Sequence, residues 1–411
     1  MFFSYNSMKS IPKIGGIFRF FATVLALCIL GVTGCGGKFF IPLCQAYNTC
    51  TTTCTAGTTC TTTPGSGGAY SSFAYVANSN QGTLAGFPIP STTFTSLTGA
   101  SYTLGTPPSA MVASPKGKLL YVATSAGSVF VYVINSNGTL ALGNNSQPVT
   151  STLNPTWMSI DPSGNWLFMV SNSSPQLLVF QINPSDGVLT QTSQGTIALD
   201  TGNPTQVYIT PNDKNVYVGL GLGGLDGFVF DSVNGTLSNH IHVRPLINGG
   251  SADNAIGADN NSAYLFIGEA GSGVRVLTIA SNGALNEISG SPFLQQNLGS
   301  NSQLGPSSIV VDQTNTYVYV AYRTSNEIIG YTLGTGGTLT ALSSSPFQTG
   351  SGPDAMALDP TGKYLFVTSL GGSPDLEVFS FDATVGGKLD SVVSTPTGTQ
   401  PAGAIALSVV P

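Results

Sequence analysis

Apolar residues along this chain gather in short runs separated by polar turn clusters, and Pro353 to Leu389 holds the cleanest copy of that pattern. Asp359-Pro360-Thr361-Gly362 places Pro second and Gly fourth, as in a type I turn, so the chain reverses there between two short strands. Met356 to Leu358 is then strand one. Tyr364 to Val367, aromatic and branched, is strand two, and Leu376 to Phe381 is strand three. Gly386-Gly387 predicts a tight hairpin into a fourth strand that begins at Leu389. The expected product is a four-stranded antiparallel meander.

This unit recurs. The hairpin signature Gly-x-Leu stands at Gly82, Gly138, Gly187, Gly235, Gly283, Gly337 and Gly387. The start of strand one is marked by Pro108, Pro155, Pro204, Pro306, Pro353 and Pro401, with Asp253 in place of Pro in one copy. Both markers occur seven times, and a repeat of this length decides the architecture. The phase adds the closure: the first copy, from Phe73, lacks a strand one, while Pro401 to Pro411 holds only a strand one. The expectation is an all-β, seven-bladed β-propeller of four-stranded antiparallel blades. Ala404 to Val409 pairs with the blade begun at Phe73, so the closed ring leaves no open sheet edge.

The chain before this ring reads differently. Residues 1–34 are a targeting segment: Lys9, Lys13 and Arg19 form a basic front, Phe20 to Gly31 is an apolar run, and Val32-Thr33-Gly34-Cys35 follows. Met8-Lys9 offers an alternative start. The order resembles a bacterial lipoprotein signal, which implies cleavage before Cys35 and a lipid on its thiol. An uncleaved anchor is the alternative, but the run is short for a membrane span. Gly36 carries no acidic retention cue, which by the same resemblance favours the outer membrane or cell surface. Residues 35–69 form a Thr- and Cys-rich tether with too few large apolar residues for a core. Cys44, Cys50, Cys54 and Cys60, even in number in an exported chain, favour two disulfides of unassigned pairing, with zinc as the alternative. Residues 70–411 are the propeller.

Charged residues make up only 7% of the chain, so the exposed faces must be covered by Thr, Ser, Asn and Gly. Three of the 12 Lys and Arg, and none of the 18 Asp and Glu, lie in the leader, so its removal would take the formal charge from −6 to −9. An acidic surface without clustered cations excludes nucleic acid as a partner. Numbering the blades from the first complete one, blade one runs from Pro108. Blade two carries Trp157 and Trp166, and the Gly-Leu run Gly219 to Gly227 falls in blade three. That run lacks the Lys-Ser or Lys-Thr and the helix of a phosphate-cradling loop.

Tyr75-Val76-Ala77-Asn78, Tyr121-Val122-Ala123-Thr124 and Tyr319-Val320-Ala321-Tyr322 resemble the strand-two signature of the bacterial lactonase-type, YVTN-like seven-bladed propellers. That family includes the propeller form of 6-phosphogluconolactonase and its cyclase relatives. The resemblance covers about Phe73 to Pro411 and implies the fold; a shared fold alone does not fix the activity. It further implies a His two residues past a strand-one marker, with acidic and Arg side chains on loops at the channel mouth. The corresponding residues here are Ala110, Trp157, Gln206, Ala255, Ser308, Ala355 and Gly403, none of them His.

The two histidines, His240 and His242, alternate with Ile241 and Val243 on the fourth strand of blade three, with Arg244 on their face. A solvated strand face explains this alternation. A metal site would need a third ligand, which spacing along the chain does not reveal, so no metal or cofactor is expected. One charged cluster stands out: Asp253 and Glu269 of blade four with Arg323 and Glu327 of blade five, all expected at the end of the ring where the loops entering strand one emerge. Arg323 would hold an anionic group, and Glu269 or Glu327 would accept hydroxyl protons. Solvated ion pairs are the plainer reading. Trp157 would offer a stacking platform at the same mouth or fill the channel.

Two functions follow. The first is a lipid-anchored, extracytoplasmic binding or scaffolding propeller that holds a glycan, peptide or protein partner at its loop end. The second is a hydrolase of a lactone or sugar ester with candidate catalytic residues Arg323, Glu327 and Glu269, an activity that the unmatched His weakens.

Overall fold

The computed structural model describes residues 50–53, 61–64, 72–89, 94–97, 102–150, 154–171, 174–243, 253–271, 273–294, 305–397 and 404–411. The chain forms two units, Met1–Gly68 and Ala69–Pro411. In the first, Cys50–Thr53 pairs antiparallel with Thr61–Pro64. Cys35, Cys44, Cys54 and Cys60, and the leader, lie outside the described residues. No helix among the described residues is long and apolar enough to cross a membrane.

The second unit is a ring of seven antiparallel sheets, and no α-helix occurs among its described residues. Six blades are consecutive meanders. The seventh joins Ala404–Val410 to Ser72–Asn78, with Phe73 opposite Val410 and Asn78 opposite Ala404. In the reference blade, strand three spans Leu376–Phe381, as the sequence predicts, and strand four spans Leu389–Thr395. Strands one and two are longer than their apolar runs, Ser351–Leu358 and Tyr364–Gly372, because the ladder continues past two bulges to pair Ser351 with Gly372. The hairpin at Gly386-Gly387 is not a two-residue turn. Phe381 pairs with Leu389, and of the two glycines only Gly387 has a positive φ.

In five blades the turn from strand one to strand two is organised by its first side chain. Asp359 Oδ1 accepts from the Lys363 and Tyr364 N–H groups at 2.7 Å, and Asp161, Asp259 and Asp312 do the same in their blades. Such bonds satisfy backbone donors that a tight reversal would leave unpaired. In blade three the residue is Thr210, whose hydroxyl accepts one N–H, from Asn215 at 3.0 Å.

Seven apolar clusters hold the ring together, one at each boundary between adjacent blades. A polar contact recurs inside these boundaries. The strand-two tyrosine of one blade donates its hydroxyl to the hairpin glycine carbonyl of the next: Tyr75 to Gly138, Tyr121 to Gly187, Tyr217 to Gly283 and Tyr319 to Gly387, at 2.8–3.2 Å. In blade two Trp166 takes the role, donating to the Ser232 carbonyl at 2.7 Å. The repeated Gly is therefore fixed twice over. At Gly138 φ is +80°, and a Cβ would stand 2.4 Å from the Phe73 ring.

Tyr75→Phe should cost about 1–3 kcal/mol, the range for stranding a buried hydrogen-bond partner. Gly138→Ala should cost more, since it adds left-handed strain to overpacking. Thermal unfolding of both variants checks this. Melting temperatures equal to that of the parent would contradict the role given to the contact.

Candidate functional site

The inner strands line the channel, and side chains stitch them to one another. Ser159 Oγ donates to the Val207 carbonyl at 2.6 Å, and the Gln206 amide exchanges two bonds with the Ile256 backbone. Ser307 Oγ donates to the Pro353 carbonyl at 2.7 Å, and Ser109 Oγ donates to the Pro155 carbonyl. Four inner strands are thereby tied to the next one around the ring.

This stitching leaves a cavity of about 540 Å³ at one end of the channel. Its wall includes Ser109, Thr156, Thr205, Ser307 and Asp354, each the residue immediately after a strand-one marker. Arg323 and Trp157 complete the functional wall. An adjoining chamber of about 210 Å³ is lined by the next residue after five of the markers, Ala110, Trp157, Gln206, Ser308 and Ala355, with Met111, Met158, Met356 and Tyr208. These are the places where the resemblance seen in the sequence implies a His. Here they carry an indole, an amide, a hydroxyl and two methyl groups.

Arg323 comes from the turn between Tyr317–Tyr322 and Glu327–Leu333 in blade five, and its Nη2 pairs with Asp354 Oδ1 on the inner strand of blade six. The guanidinium is 51% exposed and the carboxylate 14%. Burial raises the Asp354 pKa above the ordinary carboxylate range, and the Arg323 charge and hydrogen bond oppose that rise without cancelling it. The result is a desolvated carboxyl beside a solvent-facing cation, under a rim of hydroxyls.

The other members of the sequence cluster lie elsewhere. Glu269 is fully buried, and Arg275 Nη1 stands 3.6 Å from its Oε1 while Nη2 pairs with Glu287 at 3.1 Å. Asp253 lies opposite Glu269 in the ladder; its side chain falls outside the described residues. Glu327 is buried at the start of its strand, opposite Tyr322 and Gln348. Neither Glu269 nor Glu327 lines the cavity, whereas Arg323 and Trp157 do. Asp354 is the residue that sequence reasoning missed. The signal was its place directly after Pro353, the position that supplies the cavity wall in four other blades.

The site holds a general acid or base, a cation for an oxyanion or carboxylate, an apolar ring face and a rim of hydroxyls. That set suits a small, neutral, polyhydroxylated carbonyl compound.

The profile of a family described as lactonase, 7-bladed beta-propeller, matches residues 69–209 and 200–405. No curated protein sequence matches the chain. Among solved structures, a putative 6-phosphogluconolactonase from Bacteroides fragilis is 19% identical, with a TM-score of 0.67 over 85% of this chain and 100% of that one. The periplasmic gluconolactonase of Pseudomonas aeruginosa is 17% identical, with a TM-score of 0.63 over 83% and 99%. A protein from Lactobacillus plantarum is 18% identical, with a TM-score of 0.65 over 82% and 99%. Likeness at these identities carries the fold and not the activity.

A carboxyl whose pKa is higher folded than unfolded binds more protons in the native state between those two values. Its contribution to stability is therefore full below the unfolded pKa, about 3.9, and is lost as pH rises through the folded pKa. The melting temperature of the parent should thus fall relative to Asp354→Asn as pH rises across that window. Arg323→Ala, which removes the lowering influence, should move the window upward. A difference between parent and Asp354→Asn that is constant with pH would contradict the assignment.

Proposed function

Because the chain belongs to the lactonase family of seven-bladed β-propellers, we propose that its channel mouth binds and opens a lactone or a related sugar ester. The observation that carries this reading is the pairing of Asp354, a desolvated carboxyl, with Arg323 at the wall of the channel cavity. Asp354 is ionised when it acts, and it takes a proton from the attacking water. The water oxygen bonds to the carbonyl carbon, and Arg323 balances the negative charge that collects on the carbonyl oxygen. Collapse breaks the bond from that carbon to the ring oxygen, which leaves with the proton held by Asp354 as a hydroxyl. The product is a hydroxy acid whose carboxyl gives its remaining proton to solvent and rests on Arg323 as a carboxylate until release. Trp157 offers its ring face to the sugar carbons, and Ser109, Thr156 and Ser307 rim the space around the sugar hydroxyls.

The substrate we favour is unphosphorylated. Among the described residues the cavity wall holds one guanidinium, already facing Asp354, where a phosphorylated sugar would call for a further cation. An envelope location agrees with this: the basic, apolar and small-residue order before Cys35 supports a lipid anchor outside the cytoplasm, where phosphorylated metabolites are scarce. A solved neighbour is itself described as a periplasmic gluconolactonase.

Hydrolysis of a panel of aldonolactones, with and without a phosphate, tests the reading. The parent should exceed the spontaneous rate on the unphosphorylated members. Asp354→Asn should lower kcat by about 100-fold or more, in the range for loss of a general base. Arg323→Ala should cost a comparable factor in kcat/KM, as for loss of a charge-stabilising donor. No turnover by the parent would overturn hydrolysis and leave the mouth as a binding site for a glycan, peptide or protein partner.

A further inference from the structure

On the outer edge of blade three, away from the channel cavity, two imidazoles and two carboxylates converge. His240 and His242 lie on Thr236–Val243, the outer strand, and Asp226 lies on the adjacent Leu225–Asp231, directly opposite His242. Asp200 comes from the linker between Leu189–Ala198 of blade two and Gln206–Ile209 of blade three. His242 Nδ1 stands 2.8 Å from Asp226 Oδ1 and 3.1 Å from Asp200 Oδ2. His240 Nε2 stands 3.1 Å from Asp226 Oδ2, its ring stacked 4.7 Å from that of Phe228. The Asp200 N–H donates to Asp226 Oδ2 at 2.8 Å.

Asp226 is fully buried, and among the described residues its ion-pair partners are the two imidazoles. A single Nδ1–H is offered to two carboxylates at once, although one proton forms one good bond. A divalent cation resolves this, because it accepts Nδ1 and both oxygens together and balances both negative charges. The spacing fits. Ligands about 2.0–2.1 Å from a tetrahedral zinc stand about 3.3 Å apart, against 2.8 and 3.1 Å for the two contacts of His242, and the three ligand atoms all lie within 4.8 Å of one another. The donors fit too: imidazole with carboxylate suits zinc and its d-block neighbours.

We propose that His242 Nδ1, Asp226 Oδ1 and Asp200 Oδ2 form a zinc-class metal site that clips the blade-two linker to the outer edge of blade three. Asp226 is held in place by the Asp200 N–H and by His240, which acts as a partner outside the coordination sphere. Solvent takes the fourth position, open because His242 and Asp200 are 26% and 48% exposed. The site lies outside the channel and has no part in lactone chemistry.

Zinc titration of the chelator-treated full chain should show one equivalent bound at micromolar free metal and lost in His242→Gln. Asp200→Asn, at a half-exposed side chain, should weaken binding at least tenfold. Melting temperature should rise by several degrees with zinc in the parent and stay unchanged in His242→Gln. Cobalt in place of zinc should give the visible bands of a tetrahedral nitrogen and oxygen site without thiolate charge transfer. The proposal is overturned if no metal is retained at millimolar zinc. It is equally overturned if the stoichiometry is the same in parent and His242→Gln, or if the cobalt spectrum is that of thiolate ligands from the cysteine tract.

Discussion

At five of the seven blade boundaries the ring depends on a contact between a strand-two aromatic and the hairpin of the following blade. A propeller has no single core. Its apolar surface is buried only where two sheets face each other, so each blade is stable to the extent that its neighbour is held at the right distance and tilt. Apolar packing supplies attraction without direction. The Tyr319 hydroxyl on the Gly387 carbonyl supplies direction, since it is satisfied at one relative position of blades five and six. Gly138 shows the converse constraint: the Phe73 ring occupies the space a side chain would need, so the hairpin repeats as Gly-x-Leu.

The channel inherits its geometry from that spacing. With blades held apart by fixed amounts, inner-strand side chains such as Ser159 and Gln206 reach the next inner strand and no farther. The residues after five of the strand-one markers are then arranged around a common cavity. Most are small and hydroxylated, which leaves open space; one is an aspartate, and the turn beside it supplies an arginine. A repeat architecture thus generates a symmetric pocket. A single charged departure from the repeat, at Asp354 with Arg323, breaks that symmetry and gives the pocket a reacting end.

Most of the fold was legible because the repeat is written in turn residues and strand runs, both local signals. The strand at Leu376–Phe381 is bounded where its apolar run ends. The hairpin length was not, because Asp382 binds the Thr384 and Val385 N–H groups and organises a longer loop than a Gly-Gly pair suggests. The site was legible in half. Arg323 and Trp157 line the cavity, but Glu269 sits diagonally across its own hairpin from Arg275, near enough for the two to neutralise each other inside the blade. Asp226 and Asp200 reach His242 from a neighbouring strand and from the linker of another blade, and no spacing along the chain records that meeting.

The most direct test of the central claim, that ring geometry converges on one charged pair at the channel mouth, is a crystal structure with a bound aldonate, the product of lactone opening. The account predicts its carboxylate on Arg323, within hydrogen-bond reach of Asp354, with its hydroxyls against Ser109, Thr156 or Ser307 and its carbon chain over Trp157. An aldonate bound elsewhere on the ring, or a channel mouth that stays free of it at saturating concentration, would contradict the account.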